Sequence, residues 1–476
     1  MPLLEAMRTY EQGQPAYFRI PAHRFERGVH PDFRRAVGEQ VFRYDLTEAE
    51  GLDDLHHPEG AIREAQELAA ELYGSDRCWF LVNGTTCGNE AMILSAAGPG
   101  EKIMVPRNAH KSVLMGLILS GAEPVWIMPE YRESWGVFGE ITRETVEEGF
   151  RREPDCRAVF LVSPTYYGIC SDIRGIAEVC HRHGAMLLVD EAHGAHLYFS
   201  DRFPEGALRQ GADMCAQSTH KTAGSMTQSS MLHMQGSLAD GARIDENLKL
   251  VMSTSPSYLL MASLDAARCQ LAARGREMME KSAELAALGG RRIAAVPGFR
   301  VMGGGEEAAG TADPARLVFS AGELGMGGYE LQDRLYRESG ISLELADYEN
   351  VVAVVTWGNT REDIERLGEA VEKLAASLKG ESREPLRKKN FKIPRFPDRR
   401  RTPREAYFSR KRAVPWREAA GQTAGEAAAP YPPGIPLIYP GEVLEPEIWE
   451  MLERCRKDGI VLHGPASPEL DTYRVI

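Results

Sequence analysis

Several things this sequence lacks narrow its function before any motif is considered. Its eight cysteines are scattered and form no Cys-x-x-Cys pair. That excludes a disulfide framework or a zinc knuckle, and the thiols read as reduced, buried small hydrophobes. Positive charge is not in excess: 56 Lys and Arg face 69 Asp and Glu, a net charge of −13, which argues against general nucleic-acid binding. No apolar run approaches the ~18 residues needed to cross a bilayer. The opening Met1-Pro-Leu-Leu-Glu5 has neither a basic nor an apolar leader region, so no signal peptide is expected and the cytoplasm is the expected compartment. His56-His57 has no further ligand at helical spacing, so no metal is expected. What remains is 476 residues, 43% hydrophobic and 26% charged, ordinary for a globular protein and long enough for two or three domains.

Strand and helix signals alternate along the first half. Ala61 to Tyr73 puts Ile62, Ala65, Leu68, Ala69 and Leu72 on one helical face, and Gly74 ends it. Trp79-Phe-Leu-Val82 reads as a strand, Asn83 to Asn89 as a glycine turn, and Glu90 to Ser95 as a helix. Further apolar runs at 103–105, 124–127, 158–162 and 185–189 are separated by helical patterns at 112–119 and 173–183. Apolar runs without alternation, spaced by helices, predict an α/β fold with a mostly parallel sheet covered on both faces. Ligands in such sheets bind beyond the carboxyl ends of the strands. The loops at Asn83, His110, Thr165, Asp190 and Lys221 all lie at such ends. Residues 1–30 read as an N-terminal arm, 31–290 as the major domain and 291–378 as a smaller α+β domain. Residues 379–412 read as a basic linker, rich in Lys, Arg and Pro, and 413–476 as a C-terminal subdomain with a proline-dense Pro430-Tyr-Pro-Pro-Gly-Ile-Pro436.

Two segments carry chemistry. In Ser218-Thr-His-Lys-Thr222 a lysine stands among hydroxyls and an imidazole, after an apolar strand end and before small residues. Burial lowers a lysine pKa and makes the amine a nucleophile toward carbonyls. Beside phosphate donors such as Ser218 and His220, that suggests a Schiff base with pyridoxal phosphate (PLP). Asn83-Gly-Thr-Thr86 at a strand-to-helix turn presents N–H groups and a positive helix end to an anion. Taken singly, the first also fits a solvated loop lysine and the second an ordinary capped turn. Their convergence at strand ends favours a site.

Read together, the chain resembles the Orn/Lys/Arg decarboxylases, PLP-dependent enzymes of fold type I. The resemblance is carried by Gly51-Leu-Asp-Asp-Leu-His56, Asn83-Gly-Thr-Thr86, Arg107-Asn-Ala-His-Lys-Ser112, Asp190-Glu-Ala-His193, Ser218-Thr-His-Lys221, Thr254-Ser-Pro-Ser-Tyr258, Thr402-Pro-Arg-Glu-Ala406 and Pro440-Gly-Glu442. It implies that Lys221 holds PLP and that Asp190 pairs with the pyridinium nitrogen. His110 is implied to stack on the ring, with Ala192 and His193 at the opposite face. Thr85, Thr86, Ser218 and His220 are implied to bind phosphate, and Thr254 or Ser255 to reach the phosphate of a partner subunit. Pro21-Ala-His23 and Asn89-Glu90 depart from the family pattern, which leaves the cofactor set intact. The expected reaction is decarboxylation of a basic amino acid. Arginine to agmatine for polyamine synthesis is the first choice, as in the short biosynthetic members, and lysine or ornithine is the alternative. An aminotransferase, a carbon–sulfur lyase or a PLP-binding regulator is more remote. A cationic substrate side chain needs carboxylates, for which Glu442, Asp53 and Asp54 are candidates. A homodimer or small dimer of dimers is expected, with active sites at the interface and neither nucleic acid nor membrane as partner.

Overall fold

Residues 1–13, 16–303, 312–379, 381–387, 395–431 and 435–476 are described in a computed structural model. Lys388 and Lys389 of the basic run and Pro432 to Gly434 of the proline segment lie outside the described residues.

The apolar runs become a seven-stranded sheet: β1 (Arg77–Leu81), β2 (Lys102–Pro106), β3 (Glu123–Ile127), β4 (Ala158–Val162), β5 (Met186–Asp190), β6 (Met214–Gln217) and β7 (Ser230–Met234). Their spatial order is β1-β7-β6-β5-β4-β2-β3. Neighbours from β3 through β6 are parallel, whereas β7 is antiparallel to both β1 and β6. Every residue of β5, β6 and β7 is buried, as expected for strands covered on both faces. The sheet's carboxyl ends therefore gather the loops after β1, β2, β4, β5 and β6 on one edge.

The helix after β1 runs Gly84–Ala96, so most of the expected turn is already helix. Only Asn83 and Gly84 turn the chain, Gly84 at a positive φ of 74°, and Thr85 and Thr86 sit in the first helical turn. This helix lies close on the sheet because residue 88 is glycine: a Cβ there would stand 2.8 Å from Leu81 Cδ1 and 3.0 Å from Ala216 Cβ. The N-terminal arm also holds a helix, Pro2–Gln12, which the polar composition hid. Its Leu3 and Met7, one turn apart, are fully buried, and the Leu3 N–H donates to Asp265 Oδ2 at 3.1 Å.

A 37-residue helix, Tyr258–Ala294, leaves the large domain. Met261, Leu264 and Leu271 belong to the core around the large sheet, and Leu285, Ala286 and Ile293 to a second core. That second core underlies a four-stranded antiparallel sheet: β8 (Arg300–Val301), β9 (Arg316–Ser320), β10 (Leu345–Ala346) and β11 (Val351–Val354), in the order β8-β9-β11-β10. A third core, including Trp416, Ile448, Leu452 and Tyr473, organises the C-terminal residues. Three arginines of the basic segment are used within the chain: Arg395 pairs with Glu445, Arg399 with Glu123, and Arg404 donates to the Ile118 and Leu119 carbonyls. Among the described residues no helix is long and apolar enough to cross a membrane.

Candidate active site

Register places the central groups. Asp190 ends β5 opposite Ala216 of β6. Five residues after Ala216, the short helix Thr219–Thr222 presents Lys221. Lys221 Nζ lies 3.0 Å from His193 Nε2 and 5.7 Å from the centroid of the Tyr166 ring. The Asp190 carboxylate is buried. Its Oδ2 accepts from Asn89 Nδ2 at 2.7 Å and its Oδ1 from the Ala192 N–H at 3.1 Å. Asn89, on the helix Gly84–Ala96, also donates to Ser112 Oγ at 2.9 Å. His110 caps the helix Lys111–Ser120, its Nδ1 accepting from the Ser112 N–H at 3.2 Å. On the other side, Thr85 Oγ1 bonds Ser218 Oγ at 2.6 Å and also Ser230 Oγ. His220 Nδ1 donates to the Ser229 carbonyl at 2.8 Å.

Burial sets the protonation of this cluster. Loss of water lowers the Lys221 pKa. The Asp190 and Glu344 carboxylates pull it back up, and the Arg316 guanidinium pushes it down. His193 is driven well below the ordinary histidine value by burial, then by Lys221 and Arg316. His110 and His220 are lowered by burial as well. Burial thus disfavours the charged forms of the amine and imidazoles that surround one buried carboxylate. Asp190 has two neutral N–H donors and, among the described residues, no ion pair, and a buried carboxylate in that state calls for a cation. A protonated ring nitrogen supplies one. The hydroxyls of Thr85 and Thr86 in the first turn of the helix Gly84–Ala96, with Ser218 beside Thr85, offer an anion seat. The donor set thus fits PLP. Among the described residues no group of three His, Cys, Asp or Glu could hold a metal ion.

The substrate carboxylates expected from the sequence are used otherwise. Glu442 is buried and accepts from Arg107 Nη1 at 2.5 Å, Arg107 Nη2 at 3.2 Å and the Tyr439 N–H at 2.8 Å. It ties the C-terminal region to the end of β2 and has no face left for a ligand. Asp53 is likewise spent on backbone N–H groups, those of Asp54, Glu59, Gly60, Ile62 and Arg63. It closes its own loop onto the start of the helix Ala61–Tyr73. Asp54 is exposed and accepts from the His56 N–H. Thr254 and Ser255 are exposed, and the neighbouring Ser253 N–H donates to Asn83 Oδ1, in the turn after β1, at 3.2 Å.

Four site residues carried no sequence signal strong enough to be chosen. Asn89 stood inside a quoted motif, three residues past Thr86, one helical turn on. Tyr166 lay in the loop after β4, where an aromatic ring at a strand end was its one clue. Arg316 and Glu344 come from the small domain and have no local pattern that links them to Lys221.

Comparison with known proteins agrees with this geometry. The profile for the Orn/Lys/Arg decarboxylase major domain matches residues 1–297, and that for the Orn/Lys/Arg decarboxylase C-terminal domain matches residues 385–457. Arginine decarboxylase of Bacillus subtilis (strain 168) is 37% identical over 478 residues, covering 100% of this chain and 97% of the relative. Arginine decarboxylase of Halalkalibacterium halodurans is 38% identical over 482 residues, with the same coverage of each. Among solved structures, lysine decarboxylase A from Pseudomonas aeruginosa superposes with a TM-score of 0.85 at 23% identity, over 100% of this chain and 80% of that one. The mostly parallel sheet and its appended small domain are thus the expected type I fold. Matched across its sheet domain and its C-terminal region alike, and aligned end to end with these relatives, the chain belongs to the Orn/Lys/Arg decarboxylase family.

Proposed function

We propose that the protein decarboxylates a basic amino acid, L-arginine to agmatine and carbon dioxide, with pyridoxal phosphate carried on Lys221. The observation that carries this reading is the desolvated Lys221 amine beside a buried Asp190 carboxylate that forms no ion pair among the described residues. The full-length arginine decarboxylase relatives support arginine as substrate. Held by these residues, pyridoxal phosphate would supply an electron sink for the pair left on the α-carbon when carbon dioxide leaves. Asp190 favours a proton on the ring nitrogen by setting a negative charge beside it, while Asn89 and the Ala192 N–H keep that carboxylate aimed. His110, whose charged form burial disfavours, would stack against one face of the ring, with Ala192 and His193 at the other. Thr85, Thr86, Ser218 and His220 hold the phosphate. Lys221 Nζ and His193 Nε2, 3.0 Å apart, carry the proton that returns to the α-carbon. The working unit is a homodimer, in which exposed Thr254 or Ser255 of one copy reaches the phosphate seat of the other. The enzyme acts in the cytoplasm, where its product feeds polyamine synthesis.

The test is chromatography of amine products after incubation with arginine, lysine and ornithine, with Lys221→Ala alongside. Agmatine from arginine, absent with Lys221→Ala, is expected. Cadaverine or putrescine as the main product overturns arginine as the substrate. Turnover that survives Lys221→Ala overturns the site.

A further inference from the structure

We propose that Arg316 fixes the single proton of His193 on Nε2 and thereby holds Lys221 as a free amine. The inference rests on Lys221 being the amine that carries the cofactor. Arg316 opens β9 of the small domain and is almost wholly buried. Its Nη2 donates to His193 Nδ1 at 3.1 Å and to the His193 carbonyl at 3.3 Å. A guanidinium donates and never accepts. Nδ1 must therefore be the bare nitrogen of the ring, and in a neutral imidazole the proton then sits on Nε2. Nε2 is the atom 3.0 Å from Lys221 Nζ. An N–H on Nε2 facing an ammonium would set hydrogen against hydrogen. Facing an amine it donates into the lone pair. The three side chains share a hydrogen-bonded order in one direction only: Arg316 to His193 to Lys221.

The surroundings agree. Arg316 is anchored by Asp313, with Nε 3.6 Å from Oδ2, and Asp313 also lies 3.1 Å from His196. The charged and titratable groups that act on the pair come from every element around it: Asp190 at the end of β5, His110 after β2, His196 after His193, and Arg316 and Glu344 from the small domain. The Tyr166 ring lies 4.6 Å from that of His193. Burial lowers both the Lys221 and the His193 pKa, the same direction as the hydrogen-bond order. Arg316 is a positioning residue: it acts on Lys221 through His193.

The test uses full-length protein labelled with 15N-histidine, the His193 signals being assigned by their loss in His193→Gln. Wild type should show a protonated Nε2 and a bare Nδ1 from neutral to alkaline pH. In parallel, the rate at which cofactor-stripped protein takes up PLP covalently is followed against pH. Arg316→Met removes both charge and donor and should move that profile up by about one pH unit or more. Arg316→Gln removes the charge but keeps a side-chain N–H for Nδ1, so its profile should lie between those of wild type and Arg316→Met. A His193 proton on Nδ1 in wild type overturns the proposal even if both variants misfold. So does an Arg316→Gln profile that matches Arg316→Met, since that result would leave Arg316 with only a distant charge effect. Covalent PLP uptake that persists in Lys221→Ala would instead remove the cofactor assignment, and the His193 tautomer would stand on its own.

Discussion

Replacing Glu442 with leucine should loosen the C-terminal region and disturb the site from a distance. Arg107 and Glu442 are both buried, with side chains 0% and 1% exposed. Arg107 also donates to the Leu437 carbonyl and lies 4.9 Å and 4.6 Å from the Trp126 and Tyr439 ring centroids. Without Glu442 the guanidinium keeps one carbonyl and two ring faces but no counter-charge. Breaking such a pair from one side costs about 3–5 kcal/mol. The assay decides where that cost appears. Spread over 476 residues, unfolding entropy is about 1 kcal/mol/K, so one concerted melt would fall by only ~4 °C. If residues 395–476 open alone, the same cost lowers their own transition by roughly 20 °C. Hydrogen exchange over the paired strands Arg412–Pro415 and Thr472–Val475 separates the two cases, and we expect faster exchange there than in β5 or β6. Cofactor retention should also fall, because Arg107 is three residues before His110. The double variant Arg107→Leu with Glu442→Leu should recover most of the loss. Unchanged exchange in Glu442→Leu, or a double variant as weak as the single, would refute the reasoning.

Two other outcomes follow from the same hydrogen-bond map. Asn89→Leu leaves Asp190 with the Ala192 N–H alone, and the lost charge-assisted bond is worth ~1.5–3 kcal/mol. PLP should dissociate at least tenfold more readily in equilibrium dialysis, and wild-type retention would contradict the role given to Asn89. His233 is fully buried, and burial drives its pKa down to about 3. The unfolded chain takes up that proton from about pH 6.5 downward, whereas the folded chain resists until about 3. Its effect is therefore absent above pH 6.5 and becomes a growing loss of stability as pH falls toward 3. Between about pH 7 and 5 this amounts to ~2 kcal/mol. His233→Gln should flatten that limb in urea titrations at the two pH values, and an unchanged slope would refute it.

The parts of the fold visible in the sequence were those with local causes. Helix Ala61–Tyr73 was bounded correctly because its apolar face and its terminal Gly74 are both local signals. The strand ends at Asp190 and Lys221 were legible because uninterrupted apolar runs stop there. The direction of β7 was not, since Ser230–Met234 is buried on both faces whichever way it runs. The start of the helix at Gly84 was missed because glycine usually reads as a turn. The Arg107–Glu442 tie spans 335 positions, and no spacing rule links such residues, so a carboxylate needed by Arg107 looked free for a substrate. Arg316 was invisible as a partner for the same reason. Its relation to Lys221 exists only once the small domain is folded against the large one.

One consequence of the helix Tyr258–Ala294 concerns how the two halves move. At 37 residues it is about 55 Å long, and its two ends are cemented into different cores. A connection of that kind is a beam, not a swivel. Tilting one half against the other would have to strain a continuous ladder of backbone bonds. Relative motion of the two cores therefore has to bend this helix rather than turn a hinge within it.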